Sequence, residues 1–424
     1  MKELLIISLQ YYPLNSPCAH RIHSYGKHLH DFGYRSTILC MDWRFNSSKE
    51  MPKCAERYDL SISKPDVCRT ERIQLNHIWQ YSFALGYCLR PLSWPAELYM
   101  KFLIHAQKMH KELNFDAILA TSPMQMPLAV ASTVGRKFKI PWIADLRDVA
   151  GELTPQPSNN PLRIAWRHFT RRLVKHQETR VCGGADAVLT VSAPLVDTLL
   201  ERGLKKVHLV YNGFEPEDYA GEEVNQNRLF RILYGGTITP SRNPSMLFEA
   251  VDLLLKRELI NPDDFQICFF GKIHLPMNEI LRNRPCRKIV KIYDRIARCD
   301  FIEALKNSTI LLQLAHPHEK GIMTSKIFDY LAVSHPILSI PKDNDVIDAL
   351  LSETNAGKSF DNHEGVMDYL LHSYRQWKAE GRVKYEGNHN AISLYTRGSQ
   401  TKKLAHILDS VLNTSNSSNI RQRI

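Results

Sequence analysis

What most constrains the fold of this chain is a rhythm that runs through it twice: short apolar runs alternate with amphipathic stretches of helical period. Residues 4–9, 36–41, 117–121, 142–145, 187–191 and 206–211 predict the strands of a first half. Residues 231–234, 265–270, 288–293, 310–314 and 336–340 predict those of a second. Continuous apolar runs belong to strands buried on both faces, as in a parallel sheet covered by helices on either side. Helical period over residues 20–32, closing at Gly33, and over 244–257, 301–306 and 325–332 supplies crossovers. The expectation is an α/β chain of two doubly wound domains facing each other across a cleft, with ligands beyond the carboxyl ends of the strands.

The join falls at residues 216–229, a polar, acidic stretch without apolar period, which reads as a linker. This divides the chain into residues 1–215, the linker, residues 230–388, and a C-terminal part at 389–424. There a last helix spans 393–412 and the Asn/Ser-rich tail beyond it frays. With 424 residues, 44% of them hydrophobic and 23% charged, the chain can fill two cores, which excludes wholesale disorder and a single small module. Lys and Arg number 55 against 44 Asp and Glu, and the formal charge of +11 favours anionic partners. Nine cysteines stand singly with no C-x-x-C pair, which suits a reducing compartment better than a disulfide scaffold or a zinc ribbon. The opening Met-Lys-Glu-Leu-Leu-Ile-Ile-Ser-Leu reads as a buried strand, because polar and turn residues follow where a signal peptide needs small ones. No run approaches the roughly 20 apolar residues of a spanning helix, so the expectation is a protein that is soluble or lies on a membrane surface, and the cysteine pattern sets it in the cytoplasm.

Gly321-Ile-Met-Thr-Ser-Lys-Ile-Phe-Asp-Tyr-Leu-Ala332 leaves one predicted strand and enters a helix. Thr324, Ser325 and Lys326 then stand at a helix N-terminus, where exposed amides attract phosphate and Lys326 adds a full charge. Asp329, one turn along, is placed to accept hydrogen bonds from a ribose. The same spacing also fits a plain capping Thr324 with a solvated Lys326–Asp329 pair. Tyr234-Gly235-Gly236-Thr237 follows another strand, and Arg242 comes soon after. Glycines there let the backbone approach a ligand and Arg242 can clamp a phosphate, although a tight packing turn uses glycines as well.

In the first half, residues 11–21 read as a long loop without dinucleotide-binding glycines. Arg21 begins the next helix as an anion contact or a surface arginine. Ala144-Asp-Leu-Arg-Asp148 crowds three charges at a strand end. Asp145, Arg147 and Asp148 there either position substrate hydroxyls and offset leaving-group charge, or form a salt-bridge network. No metal site is expected: His316 and His318 lack partner ligands, and Asp343 with Asp345 lies where a helix needs capping. The absence of G-x-S-x-G and of G-x-x-x-x-G-K-[ST] disfavours a familiar esterase or a P-loop nucleotidase.

From Asn160-Pro161 onward, Leu162, Ala165, Trp166, Phe169 and Leu173 share one helical face, and Arg163, Arg167, Arg171, Arg172 and Lys175 occupy much of the rest. Residues 161–180 fit a domain helix packed by its apolar stripe, or a basic amphipathic helix on an anionic membrane surface, which would be the inner face of the cytoplasmic membrane. Residues 78–102 add Trp79, Phe83, Tyr87, Trp94 and Tyr99 among few charges. Neither region matches a nucleic-acid motif, and no nucleic-acid partner is expected.

Taken in order, residues 4–33, Pro141-Trp-Ile-Ala-Asp-Leu-Arg-Asp148, Ala185-Asp-Ala-Val-Leu-Thr-Val-Ser192, Val210-Tyr-Asn-Gly-Phe214, residues 235–242, Lys326-Ile-Phe-Asp-Tyr-Leu-Ala332 and Pro336-Ile-Leu338 resemble family 4 glycosyltransferases. They are most similar to the bacterial branch that builds capsule and lipopolysaccharide oligosaccharides. The resemblance implies a GT-B fold, with the donor bound mainly by the second domain, the acceptor mainly by the first, and a final helix crossing back. It implies retaining transfer of a sugar from a nucleotide-diphosphate sugar to a cell-surface glycan or a polyprenyl- or lipid-linked acceptor, with no metal and no cofactor beyond that co-substrate.

By the same resemblance Arg242 and Lys326 neutralise the donor diphosphate, and Asp329 is the ribose-binding carboxylate that ends an E-x7-E motif. Gly235, Gly236, Thr237, Thr324 and Ser325 line the donor, while Arg21, Asp145, Arg147 and Asp148 belong to the opposite, acceptor-side wall. Gly321 stands where that motif has its first glutamate, with Glu319 the nearest acid, and Arg147-Asp148 stands where many relatives place a histidine. Two rivals share the architecture: a UDP-sugar 2-epimerase, and a non-catalytic subunit that retains the binding site.

Overall fold

The computed structural model describes residues 1–42, 68–74, 96–122, 125–150, 160–221, 229–316 and 320–421. The chain divides into two compact units, residues 1–212 with 397–424, and residues 213–396. The first opens with β1 (Lys2–Ile7), α1 (Pro17–His28), β2 (Tyr34–Met41), β3 (Arg69–Ile73), α2 (Ala96–Leu113), β4 (Ala117–Thr121) and α3 (Gln125–Phe138). It continues with β5 (Trp142–Leu146), α4 (Pro161–Cys182), β6 (Ala187–Thr190), α5 (Ala193–Glu201) and β7 (Val207–Leu209). Its strands pair in parallel in the order β3-β2-β1-β4-β5-β6-β7. In β1, Leu4 and Ile6 enter the core on one face of the sheet and Leu5 and Ile7 the core on the other, so every position must be apolar.

The first helix starts earlier than residue 20. Ser16, in extended conformation, accepts the N–H of Ala19 at 3.2 Å and caps it, with Pro17 in the first turn, and Gly33 at φ +83° closes the 3-10 turn that follows. Strand β3 has no apolar signature: Arg-Thr-Glu-Arg-Ile forms a strand because its backbone completes the edge of β2.

The second unit contains β8 (Phe230–Gly235), α6 (Ser245–Lys256), β9 (Phe265–Phe270), α7 (Met277–Ile280), β10 (Val290–Tyr293), α8 (Arg298–Lys306) and β11 (Ile310–Leu314). After these come α9 (Lys326–Ala332), β12 (Ile337–Ile340), α10 (Val346–Thr354), β13 (Gly357–Ser359), α11 (His363–Glu380) and α12 (His389–Ser393). Its parallel sheet runs β10-β9-β8-β11-β12-β13. Phe230, Ile232 and Tyr234 of β8 pack with Leu247, Phe248 and Val251 of α6 and with Leu370, Tyr374 and Trp377 of α11. The edge strand Gly-Lys-Ser escapes apolar patterning, and it demands its glycine: a Cβ at 357 would lie 2.0 Å from the Ile337 carbonyl oxygen.

Residues 216–229 are not linker throughout. Pro216–Tyr219 is a 3-10 turn of the second unit, with Tyr219 buried and edge-on to Phe214. One aromatic in an acidic stretch makes no period, so the pattern hides it. The C-terminal part also differs from a single helix over 393–412. Helix α12 ends at Ser393, and α13 (Arg397–Arg421) carries the polar tail onward instead of fraying. The hydroxyls of Thr414 and Ser415 donate back to the carbonyls of Ser410 and Val411, which satisfies them within the helix. Leu404, Leu408 and Val411 of α13 share a core with Ile22 and Tyr25 of α1, and Lys2 and Tyr34 each donate to Asp409 at 2.6 Å.

Candidate functional site

In each sheet the strand order reverses once, between β1 and β4 and between β8 and β11, and doubly wound sheets bind ligands outside such a reversal. In the second unit the loops leaving β8 and β11 meet there. Arg242, on the first, donates its Nε–H to Nε2 of His316, on the second, at 2.5 Å. A guanidinium has no acceptor, so that imidazole nitrogen carries a lone pair and the ring proton sits on Nδ1 when His316 is neutral.

Lys326 opens α9 and sends its ammonium to the hydroxyl of Tyr234, at 3.1 Å, with Nζ 4.4 Å from the ring centroid. It reaches that position because residue 236 is glycine: at φ +137°, a Cβ there would stand 2.2 Å from Nζ. Gly235 has another reason, since its Cβ would strike the Phe301 ring, and its N–H donates to the Tyr330 hydroxyl at 3.1 Å. The Thr237 carbonyl accepts the Tyr234 hydroxyl proton at 3.1 Å. Burial pushes the Lys326 ammonium down to about 7; the Arg242 charge adds to that, and Asp329 opposes it only in part. Burial likewise pushes the Tyr234 phenol up to about 12, with Arg242 acting the other way.

Thr324 does not cap α9. Ser325 holds the N-cap position in the αR conformation and makes no side-chain capping bond, whereas side-chain capping goes with an extended backbone. The Thr324 hydroxyl is buried with no partner among the described residues. Nor do Lys326 and Asp329 form a solvated pair: Oδ1 of Asp329 accepts from the Tyr219 hydroxyl and from Nη2 of Arg298, the latter at 3.3 Å, and Arg298 also donates to Tyr219 at 3.0 Å. Burial and the Asp329 charge hold the Tyr219 phenol well above its ordinary range. Gly321 adopts φ +73° and donates its N–H to Asp345 at 2.5 Å, while Asp343 accepts from the first-turn amides of Ile347 and Asp348, so both carboxylates serve the backbone. Glu319 and His318 lie outside the described residues, and among those described no group of three His, Cys, Asp or Glu could hold a metal ion.

The first unit treats its charges differently. Arg21 is neither a surface residue nor a free anion contact: it is 1% exposed and forms a bidentate pair with Asp145 at 3.0 and 3.1 Å. It also donates to the Val210 and Tyr211 carbonyls, and Thr121 donates to Asp145 at 3.0 Å. Burial alone would lower the Arg21 pKa, but the Asp145 carboxylate outweighs it and holds the value up. An Asp145–Arg147–Asp148 network forms only in its outer half, a long Arg147–Asp148 pair, because Asp145 is taken by Arg21. Arg147 donates to the Ser122 carbonyl from Nε and Nη2, at 3.3 and 2.9 Å, and stands 4.0 Å from Asp148, whose side chain is half exposed.

Residues 18–213 match a family model described as a glycosyl transferase 4-like domain. That stretch of the first unit is therefore a glycosyl transferase 4-like domain. The fold of the chain is GT-B, built from two Rossmann-like parallel-sheet domains, and solved structures of that architecture align along nearly all of it. HepE of Anabaena, solved in complex with UDP, aligns over 97% of this chain and 100% of its own at TM-score 0.62 and 13% identity. A glycosyltransferase from Rickettsia africae aligns over 97% and 98% at 0.60 and 13% identity. A UDP-GlcNAc 2-epimerase from Methanocaldococcus jannaschii aligns over 97% and 100% at 0.52 and 14% identity. At such identities the likeness is one of fold. No curated protein matches this sequence.

Thus Gly236, Arg242, Thr324, Lys326 and Asp329 gather at one end of one sheet, together with Tyr234 of the glycine motif, His316, weighed in the sequence only as a metal ligand, and Tyr219 and Arg298, which motif spacing does not single out. Tyr234 precedes the glycine pair and His316 directly follows a strand, positions that point toward a ligand edge. Arg298 and Tyr219 carry no such signal, because only the fold brings them to Asp329.

Proposed function

We propose that this chain is a glycosyltransferase that takes a nucleotide-diphosphate sugar at the carboxyl edge of its second sheet and transfers the sugar, with retention, to a cell-surface glycan or lipid-linked acceptor held by its first domain, on the cytoplasmic side of the membrane. The observation that carries this reading is the Arg242–Lys326 site, in which a buried ammonium is pushed down to about 7 beside a second cation and an unsatisfied Thr324 hydroxyl. Such a site is stabilised by a polyanion, and a diphosphate supplies both charge and acceptors.

In this reading the anomeric carbon's bond to the diphosphate oxygen breaks as its bond to the acceptor hydroxyl forms on the same face. The acceptor's proton passes to the departing phosphate oxygen, whose charge Arg242 and Lys326 offset. Asp329, with Oδ1 held by Tyr219 and Arg298, accepts from the ribose hydroxyls. Arg147 and Asp148 line the acceptor side, and no metal or further cofactor is invoked. UDP in the HepE complexes makes uracil the first base to test.

Purified protein and a panel of nucleotide sugars, read by release of nucleoside diphosphate in the presence of glycan and lipid-linked acceptors, test the reading. Turnover in Lys326→Ala and Arg242→Ala should fall by about 100-fold or more, since each removes a charge-assisted contact to the leaving group. Near-normal turnover in both overturns it. The epimerase neighbour supports a second reading, in which UDP-N-acetylglucosamine alone is converted to its C2 epimer. That conversion without acceptor favours the epimerase, and nucleotide-sugar binding with no reaction across the panel favours a non-catalytic subunit.

A further inference from the structure

The first half of α4 presents an apolar helix face that stays exposed among the described residues. Leu162 is 79%, Ile164 39%, Trp166 48% and Phe169 53% exposed, four large apolar side chains within eight residues, and the Trp166 and Phe169 rings lie 5.9 Å apart. A helix packed by its apolar stripe would have buried Leu162, Trp166 and Phe169, which share one side at helical period. The second half does pack. Cys182 lies in the core, Gln125 donates to the Val174 carbonyl at 2.8 Å, and the buried Glu178 accepts from the Ala150 N–H at 3.0 Å and from Arg202 at 3.2 Å. The helix is therefore anchored by its C-terminal half and presents its N-terminal half to solvent.

The charges say what covers it. Residues 161–177 hold Arg163, Arg167, Arg171, Arg172 and Lys175 and no carboxylate; the next acid, Glu178, is turned inward. A second copy of this chain would set like charge against like charge, and a nucleic acid would leave Leu162 and Ile164 without an apolar partner. An anionic bilayer answers both features: acyl boundary for Leu162, Trp166 and Phe169, headgroup phosphates for the arginines. We propose that the N-terminal half of α4 is a docking surface for anionic membrane. This stands apart from the nucleotide-sugar reading, because nothing in it depends on Arg242 or Lys326.

The test is cosedimentation of the full-length protein with phosphatidylglycerol–phosphatidylcholine vesicles against phosphatidylcholine alone, with and without about 0.5 M salt, where the Debye length is about 4 Å. Binding is expected only to the anionic vesicles and to reverse in salt. Its association constant should drop about tenfold or more in Trp166→Ser/Phe169→Ser and in Arg171→Ser/Arg172→Ser. Vesicles should also shift the tryptophan emission to the blue in the wild type but not in Trp166→Phe. UDP affinity, read on the same variants, reports folding and stays unchanged. Equal binding to neutral vesicles, no binding to either, or wild-type binding by both double variants overturns the proposal. So does concentration-dependent self-association that the Trp166/Phe169 variant abolishes, which would assign the face to a second copy.

Discussion

The Nε–H of Arg242 rests on Nε2 of His316 at 2.5 Å, tying the loop that leaves β8 to the loop that leaves β11 where the strand order reverses. His316 thereby holds one edge of the guanidinium, and Arg242 also hydrogen-bonds the Tyr234 side chain, so the group is positioned before any anion arrives. Replacing His316 by leucine removes the acceptor and strands the donor, a loss of about 1–3 kcal/mol, or roughly ten- to a hundredfold in UDP affinity. Glutamine, whose side-chain oxygen can accept the same proton, should restore most of it. Titration calorimetry with UDP reads both variants, and equal weakening by leucine and glutamine would argue that the ring only fills space.

In the proposed site, Lys326 should make UDP binding depend on pH with a definite sign. Its ammonium is pushed down to about 7 in the free protein, and a bound diphosphate favours the charged form, so binding takes up a proton wherever the free amine is neutral. Below about 7 the amine is already charged and adds no slope. Above it, the association constant should fall by up to tenfold per pH unit until the raised pKa of the complex is reached. Calorimetry at pH 8 in two buffers of different ionisation enthalpy should show proton uptake, and Lys326→Arg, charged throughout, should flatten the profile. A pH-independent wild type contradicts the assignment.

The two glycines after β8 separate by experiment because they are glycines for different reasons. Gly236→Ala would place a methyl 2.2 Å from the Lys326 ammonium in a backbone conformation with φ +137°, so it should expel Lys326 and weaken UDP binding by about tenfold or more. Gly235→Ala instead strikes the Phe301 ring. It should lower stability by about 1–3 kcal/mol, as an overpacked core does, and Phe301→Leu should return part of that loss. Urea denaturation and UDP titration on the same four proteins separate the effects.

How much of this could be read beforehand depends on whether the signal is local. Central strands such as β4, β9 and β11 match the predicted residues because burial on both faces demands unbroken apolar runs. The edge strands β3 and β13 hold one apolar residue between them, and their partners are fixed by backbone pairing that no local pattern announces. The same division governs the site. Lys326 and Asp329 share a helix turn and Arg242 follows a glycine pair, so spacing finds them. Arg298 and Tyr219 stand 31 and 110 residues from Asp329, and only folding makes them its partners. Arg21 is the clearest miss: 124 residues separate it from Asp145, and without that partner an arginine near a helix start reads as exposed.

That pair also yields a test of whether Arg21 and Asp145 build the first domain or serve an acceptor. A guanidinium 1% exposed, with three of its nitrogens bonded to Asp145 and two carbonyls, presents little to a ligand, whereas removing it leaves the Asp145 carboxylate buried beside Thr121 alone. Breaking one side of a buried pair costs about 3–5 kcal/mol, while replacing both by apolar groups of similar volume often costs far less. Arg21→Met should therefore destabilise by about that amount in urea, and Arg21→Met/Asp145→Leu by less than the single change. UDP affinity should hold in every variant that folds, since the proposed nucleotide-sugar site lies in the second unit. A stable Arg21→Met protein that retains UDP binding but loses acceptor turnover would return Arg21 to the acceptor side and refute the architectural role.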